Sequence, residues 1–233
     1  MNILIVGDSW SKPDGYSRPS IVPYTNQTIL PLEYYLLSKG HTVYNRGEGG
    51  RGNCNSLLLA EYFLAMAPAV NINIDLLIFF NTDLSRDRHE VYGWPQRIPY
   101  PKSLGEVTES IFERNMECLN RVKALYKGKW AIIGGCASFY KPEFYSFADF
   151  IIEDWRSEIL GYKVETSQWL YDYPFLENTI KDIDVIEKEA DKIEKIWDAT
   201  KSRLDLFPDG SHPSMMLQQQ LGERIHNHFT GSN

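Results

Sequence analysis

Asn2-Ile3-Leu4-Ile5-Val6 runs directly into Gly7-Asp8-Ser9. A short, strongly apolar run that ends in a glycine-containing turn reads as a buried strand of a parallel sheet, with the turn at its carboxyl end. Three further stretches repeat the pattern: the amphipathic His41 to Asn45, and the apolar runs Asp75 to Phe80 and Lys129 to Gly134. Helix-like segments fall between them. Gln27 to Ser38 ends before Gly40, Asn53 to Met66 stops before Pro68, and Glu106 to Leu125 places Ile111, Cys118, Val122 and Leu125 on one stripe. Alternating strands and helices predict the α/β class, as a three-layer α/β/α sandwich around a central parallel, flavodoxin-like sheet. Sheets of this kind bind ligands beyond the carboxyl ends of their strands, where this reading puts Ser9.

With 233 residues, 43% of them hydrophobic, the chain is long enough for one large domain and short for two, so 1–233 is read as a single domain. An aromatic-rich elaboration is expected at about 136–208, where Phe139, Phe144, Trp155, Trp169 and Tyr173 belong to a crowd of rings. A charged helix over Thr179 to Lys201 carries a narrow apolar seam, and a last helix is expected over Ser214 to Phe229. The net charge of -7 disfavours binding to a phosphate backbone, so nucleic acid is not an expected partner. No apolar run is long enough to span a bilayer, and the first residues lack the pattern of a signal peptide. The chain therefore reads as soluble, with cytoplasm and virion both open as compartments. Cys54, Cys118 and Cys136 are odd in number and widely spaced, which predicts reduced thiols rather than a disulfide framework or a zinc site. No cofactor and no metal are expected.

Ser9 gains meaning from Asp209-Gly210-Ser211-His212-Pro213 near the other end of the chain. A serine hydroxyl is a poor nucleophile at neutral pH; it needs a base to take its proton and an acceptor to hold that base in one tautomer. Ser9, Asp209 and His212 supply those groups, and each motif alone is common in turns and loops.

Taken with Asn45-Arg46-Gly47-Glu48-Gly49-Gly50 after the second strand, these motifs resemble, in their order, those of the SGNH or GDSL-type hydrolases. The resemblance spans nearly the whole chain. It implies that Ser9 is the nucleophile, His212 the base and Asp209 the residue that orients it. It also implies an oxyanion hole made from the backbone amide at Ser9, that of Gly50, and an asparagine after the third strand. Here the chain departs from the family pattern Gly-x-Asn-Asp, reading Phe80-Asn81-Thr82-Asp83. Aligning the aspartates puts Thr82 at the asparagine position; the better donor, Asn81, stands one residue earlier, where a strand side chain faces the other way. Asn81 is the favoured donor and Thr82 the alternative.

The function so implied is a metal-independent serine esterase acting through an acyl-Ser9 intermediate, on a small-molecule or glycan ester, with an acetyl group on a carbohydrate preferred. A lipid esterase, a thioesterase or an acyltransferase would use the same three residues. The competing class is a weak or inactive module that keeps the fold for carbohydrate binding or for a structural place in a larger assembly. Among the remaining polar residues, Asp8 is expected to cap its own turn, Arg46 to hold a loop, and Asp83, Arg86 and Asp87 to form a surface ion-pair cluster. His41, His89, His226 and His228 are expected to be ordinary exposed or half-buried histidines.

Overall fold

Five strands form a parallel sheet: β1 (Asn2–Val6), β4 (Thr42–Asn45), β5 (Leu76–Asn81), β6 (Lys129–Gly134) and β7 (Phe150–Ile152). Their order is β4-β1-β5-β6-β7, with Ile3 opposite Val43 on one side and Leu76 on the other. In this computed structural model the residues described in full are 1–11, 30–82, 111–135, 142–161, 198–209 and 212–232, with the backbone of 20–21, 28–29 and 104–110 and the single residues 87 and 195. The chain steps from β1 outward to β4, then returns past β1 to β5. That reversal is the topological switch point of a flavodoxin-like sheet, and it opens a crevice at the carboxyl ends of β1 and β5.

Alternation along the strands divides the core in two. Ile3, Ile5, Leu76, Ile78 and Phe80 pack under α1 (Leu32–Ser38) and α5 (Met215–Thr230), with Trp155 of α4 (Trp155–Leu160) in the same cluster. Leu4, Val6, Leu77 and Phe79 pack under α2 (Asn53–Met66) and α3 (Leu104–Leu125). Because both faces are covered, the central strands read as continuous apolar runs, and every residue of β5 is buried. The expected α/β/α sandwich is the fold observed.

Two helix expectations need correction. The segment read as a helix from Gln27 begins only at Leu32, and Thr28–Ile29 (β3) instead pairs antiparallel with Ser20–Ile21 (β2). Pro31, at ψ 160°, forms the N-cap and bars the helix from continuing back through Leu30. On α3, Leu125 is exposed rather than part of the stripe. Tyr126, four residues after Val122, takes the buried place, with its hydroxyl donating to the Lys129 carbonyl at 3.0 Å. Of the charged helix expected over Thr179 to Lys201, all but the last few residues lie outside the described residues, as do Cys136, Phe139, Trp169 and Tyr173.

Candidate active site

Ser9 rides on a turn that begins where β1 ends. Gly7 has φ +144°, and a Cβ there would stand 2.5 Å from that of Phe80, so glycine alone lets the chain leave the sheet this close to β5. Buried Asp8 shapes the next step as the sequence suggests: its Oδ1 accepts from the Trp10 N–H at 3.0 Å, and its carbonyl accepts from the Ser11 hydroxyl at 2.6 Å. Two distant side chains brace the turn from outside. Asn45 Nδ2 donates to the Ser11 carbonyl at 3.1 Å, and Gln218 Nε2 on α5 donates to the Trp10 carbonyl at 3.0 Å. The Trp10 ring packs edge-on against Trp155 at 5.9 Å and beside Phe207 at 6.2 Å. Ser9 itself is 5% exposed.

Phe207, buried against Trp10, carries the chain back to this turn before α5 begins. The Ser214 N–H donates to the Leu206 carbonyl at 2.7 Å, closing a loop that holds Asp209 and His212. Asp209 uses both carboxylate oxygens on one residue: Oδ1 accepts from the His212 N–H at 2.7 Å, and Oδ2 lies 2.6 Å from ring Nδ1. The other ring nitrogen, Nε2, lies 2.7 Å from Ser9 Oγ. An acceptor at Nδ1 assigns the hydrogen of the neutral ring to that nitrogen, which leaves Nε2 with a lone pair toward the serine hydroxyl. Exposure rises along the row, with the His212 side chain 20% and the Asp209 side chain 44% accessible. Solvent so close to Asp209 screens its charge, and its main contribution is to fix the ring's position and tautomer.

The loop from Arg46 to Gly52 is tied to the serine turn by the Glu48 N–H, which donates to the Gly7 carbonyl at 3.1 Å. Gly50 is exposed at φ +76°, a left-handed conformation that suits glycine, and Arg51 pairs with Glu48 beside it. A groove of about 510 Å³ opens here, lined in part by Glu48, Gly50, Arg51, Asn55, Leu58 and Tyr62. Arg46 sets its guanidinium over the Phe63 ring, 5.4 Å from the centroid.

Asn81 and Thr82 are both buried at the end of β5. Asn81 is still a strand residue, opposite Gly134 on β6, and it shares parity with Leu77 and Phe79 on the α2 face of the sheet. Its Nδ2 is buried with no hydrogen-bond partner among the described residues. Such a donor costs about 1–3 kcal/mol when left unmet. Thr82 is held by its peptide groups: its N–H donates to Asn53 Oδ1 at 2.8 Å, and Asn53 Nδ2 donates to its carbonyl at 2.9 Å. Asn53 thus supplies the pairing that β1 no longer offers once it turns off at Gly7.

Sequence reasoning missed Asn45, Asn53 and Gln218, and it misplaced Asp87. Asp87 is buried: Oδ1 accepts from the Cys54 N–H at the start of α2 at 2.7 Å, and Oδ2 accepts from Asn115 Nδ2 at 3.1 Å. It caps a helix rather than joining a surface cluster; Asp83 and Arg86 lie outside the described residues. His41 is also buried, before β4 and so at the amino end of the sheet, with Nε2 2.9 Å from His226 Nδ1. Burial, followed by the N-terminal ammonium and His226, lowers its pKa. His89 lies outside the described residues.

No protein-family model and no curated protein matches this chain. Among solved structures, the crystal structure of TesA is similar over 99% of this chain and 99% of its own, at 13% identity and a TM-score of 0.45. That of a member of the lipolytic protein G-D-S-L family from Veillonella parvula is similar over 99% and 98%, at 19% identity and a TM-score of 0.41. The fold itself stands on the strand order and the two buried faces of the sheet. No helix among the described residues is long and apolar enough to cross a membrane.

Proposed function

We propose that the chain is a serine hydrolase of the SGNH or GDSL type that cleaves carboxylic esters through an acyl-Ser9 intermediate. The observation that carries this reading is the hydrogen-bonded row from Ser9 through His212 to Asp209, at 2.7 and 2.6 Å. Ser9 Oγ attacks the ester carbonyl while His212 Nε2 takes its proton; the imidazolium then gives that proton to the leaving alcohol oxygen as the C–O bond breaks. Water, deprotonated by the same nitrogen, attacks the acyl-serine and returns Ser9. Asp209 keeps Nδ1 protonated throughout and stabilises the imidazolium.

The oxyanion that forms in each step is assigned to the backbone amides at Ser9 and Gly50 and to Asn81 Nδ2. The unmet buried donor on Asn81 supports that residue over Thr82, whose threonine side chain would be the alternative. A single donor of this kind is worth about 3 kcal/mol in the transition state. Asn81→Ala is therefore expected to lower kcat about 10²-fold with little change in KM, and Thr82→Val to be mild. The reverse pattern in steady-state kinetics would transfer the role to Thr82.

A short acyl group on a carbohydrate is the preferred substrate. The groove beside Gly50 is rimmed by Glu48, Arg51 and Asn55, and Tyr62 is 65% exposed, which suits a polar acceptor with a sugar face to stack on a ring. A fluorophosphonate probe is expected to give one covalent adduct, located on Ser9 by peptide mass. A serine that stays unlabelled while the protein is folded would favour the inactive-module reading.

A further inference from the structure

Cys54 and Cys118 take no part in this chemistry, yet their sulfurs lie 2.9 Å apart between α2 and α3, both buried and not joined by a disulfide. That is within an ångström of the bonded distance of about 2.05 Å. We propose that Cys54 and Cys118 form a reversible disulfide in the folded chain, a redox modification site whose oxidant is a peroxide.

The two thiols are not equivalent. Cys54 is the second residue of α2, with its N–H donating to the Asp87 carboxylate at 2.7 Å. The Arg114 guanidinium on α3 lies beside its sulfur, a contact that raises the pKa of the arginine. Hydrogen bonding to Cys54, and then burial, pushes the Cys118 thiol up, so Cys118 holds its proton. Cys54 is accordingly the sulfur that attacks and Cys118 the one that resolves. The Cys54 thiolate attacks one oxygen of hydrogen peroxide, the O–O bond breaks, and a sulfenic acid forms on Cys54. Cys118 sulfur then attacks Cys54 sulfur and the S–O bond breaks. The two thiols are oxidised, the peroxide is reduced, and the two thiol protons leave with its oxygens as two waters.

The bond would join residues 64 apart in the sequence. It would staple the first turn of α2, where Asn53 holds Thr82 and Asp87 caps the Cys54 N–H, to the middle of α3. The proposal does not depend on the hydrolase reading.

The test is to treat the folded full-length wild-type chain with equimolar hydrogen peroxide, quench in acid, alkylate in denaturant and map peptides by mass. A Cys54–Cys118 linked peptide, reversed by dithiothreitol, is expected, with the thermal midpoint raised by roughly 5 °C or more. The urea-unfolded chain should instead give mixed pairings that include Cys136. Cys118→Ser should lose both the link and the rise in midpoint; if that variant does not fold, the wild-type map decides alone. Full alkylation of Cys54 and Cys118 after oxidation of the folded chain, a link through Cys136, or sulfinic acid on Cys54 without a link would each overturn the proposal.

Discussion

Ser9→Ala is expected to lower kcat on a short p-nitrophenyl ester by about 10⁴–10⁶-fold, leaving the residual rate that binding and the oxyanion donors supply by themselves. The size follows from the chemistry: among the described residues, the hydroxyl placed to take the acyl group is that of Ser9, whose Oγ lies 2.7 Å from His212 Nε2. The fold should survive, because the turn is held by other residues. Gly7 sets its exit from β1, Asp8 its internal bonds, and Asn45 and Gln218 its outer face. One hydrogen bond to His212 is lost, a cost of about 1 kcal/mol. Unfolding curves measured beside the kinetics separate the two effects. A well-folded Ser9→Ala protein that kept a tenth or more of wild-type kcat would remove Ser9 from the nucleophile's place.

Residues legible in the sequence are those whose partners are near in the chain or whose pattern is periodic. Asn2–Val6 and Lys129–Gly134 are read to the residue, because an apolar run closed by glycine has one natural strand boundary. Asp209 and His212 are three apart, and their mutual bonds are as local as the motif. Asn53 is 29 residues from Thr82, Asn45 is 34 from Ser11, and Gln218 is 208 from Trp10. Nothing local marks these three as braces, since a buried amide looks like a surface one until its partner is known. Another strand or two is expected within the aromatic stretch and β7 is one, but its place could not be read, because three residues inside an aromatic crowd carry too little period. At β5 both bounds shift by one residue. The apolar run stops at Phe80, but the ladder extends to Asn81 opposite Gly134, because pairing with β6 depends on the backbone and not on the side chain. That one step decides which face of the sheet Asn81 occupies.

His212→Ala is expected to be nearly as damaging as Ser9→Ala, and the double variant scarcely worse than either, because a nucleophile without its base and a base without its nucleophile fail at the same step. Asp209→Asn tests the orienting role more narrowly. Asp209 accepts twice, from the His212 N–H through Oδ1 and toward Nδ1 through Oδ2. Asparagine has only one oxygen. If that oxygen keeps the backbone N–H, its NH₂ faces Nδ1, the hydrogen of the ring moves to Nε2, and the lone pair needed for Ser9 is gone. If the amide flips to serve Nδ1, two donors meet at the backbone and the loop from Asp209 to Ser214 must shift. Either arrangement costs a bond, and a loss of about 10⁴-fold in kcat is expected when the wrong tautomer prevails. Acid should act through the same nitrogen, since protonated His212 has no lone pair for the serine proton. kcat/KM should therefore fall reversibly toward low pH in the wild type while the protein stays folded. A kcat/KM that does not change with pH, together with an Asp209→Asn variant as active as wild type, would separate His212 from base catalysis despite its 2.7 Å approach to Ser9.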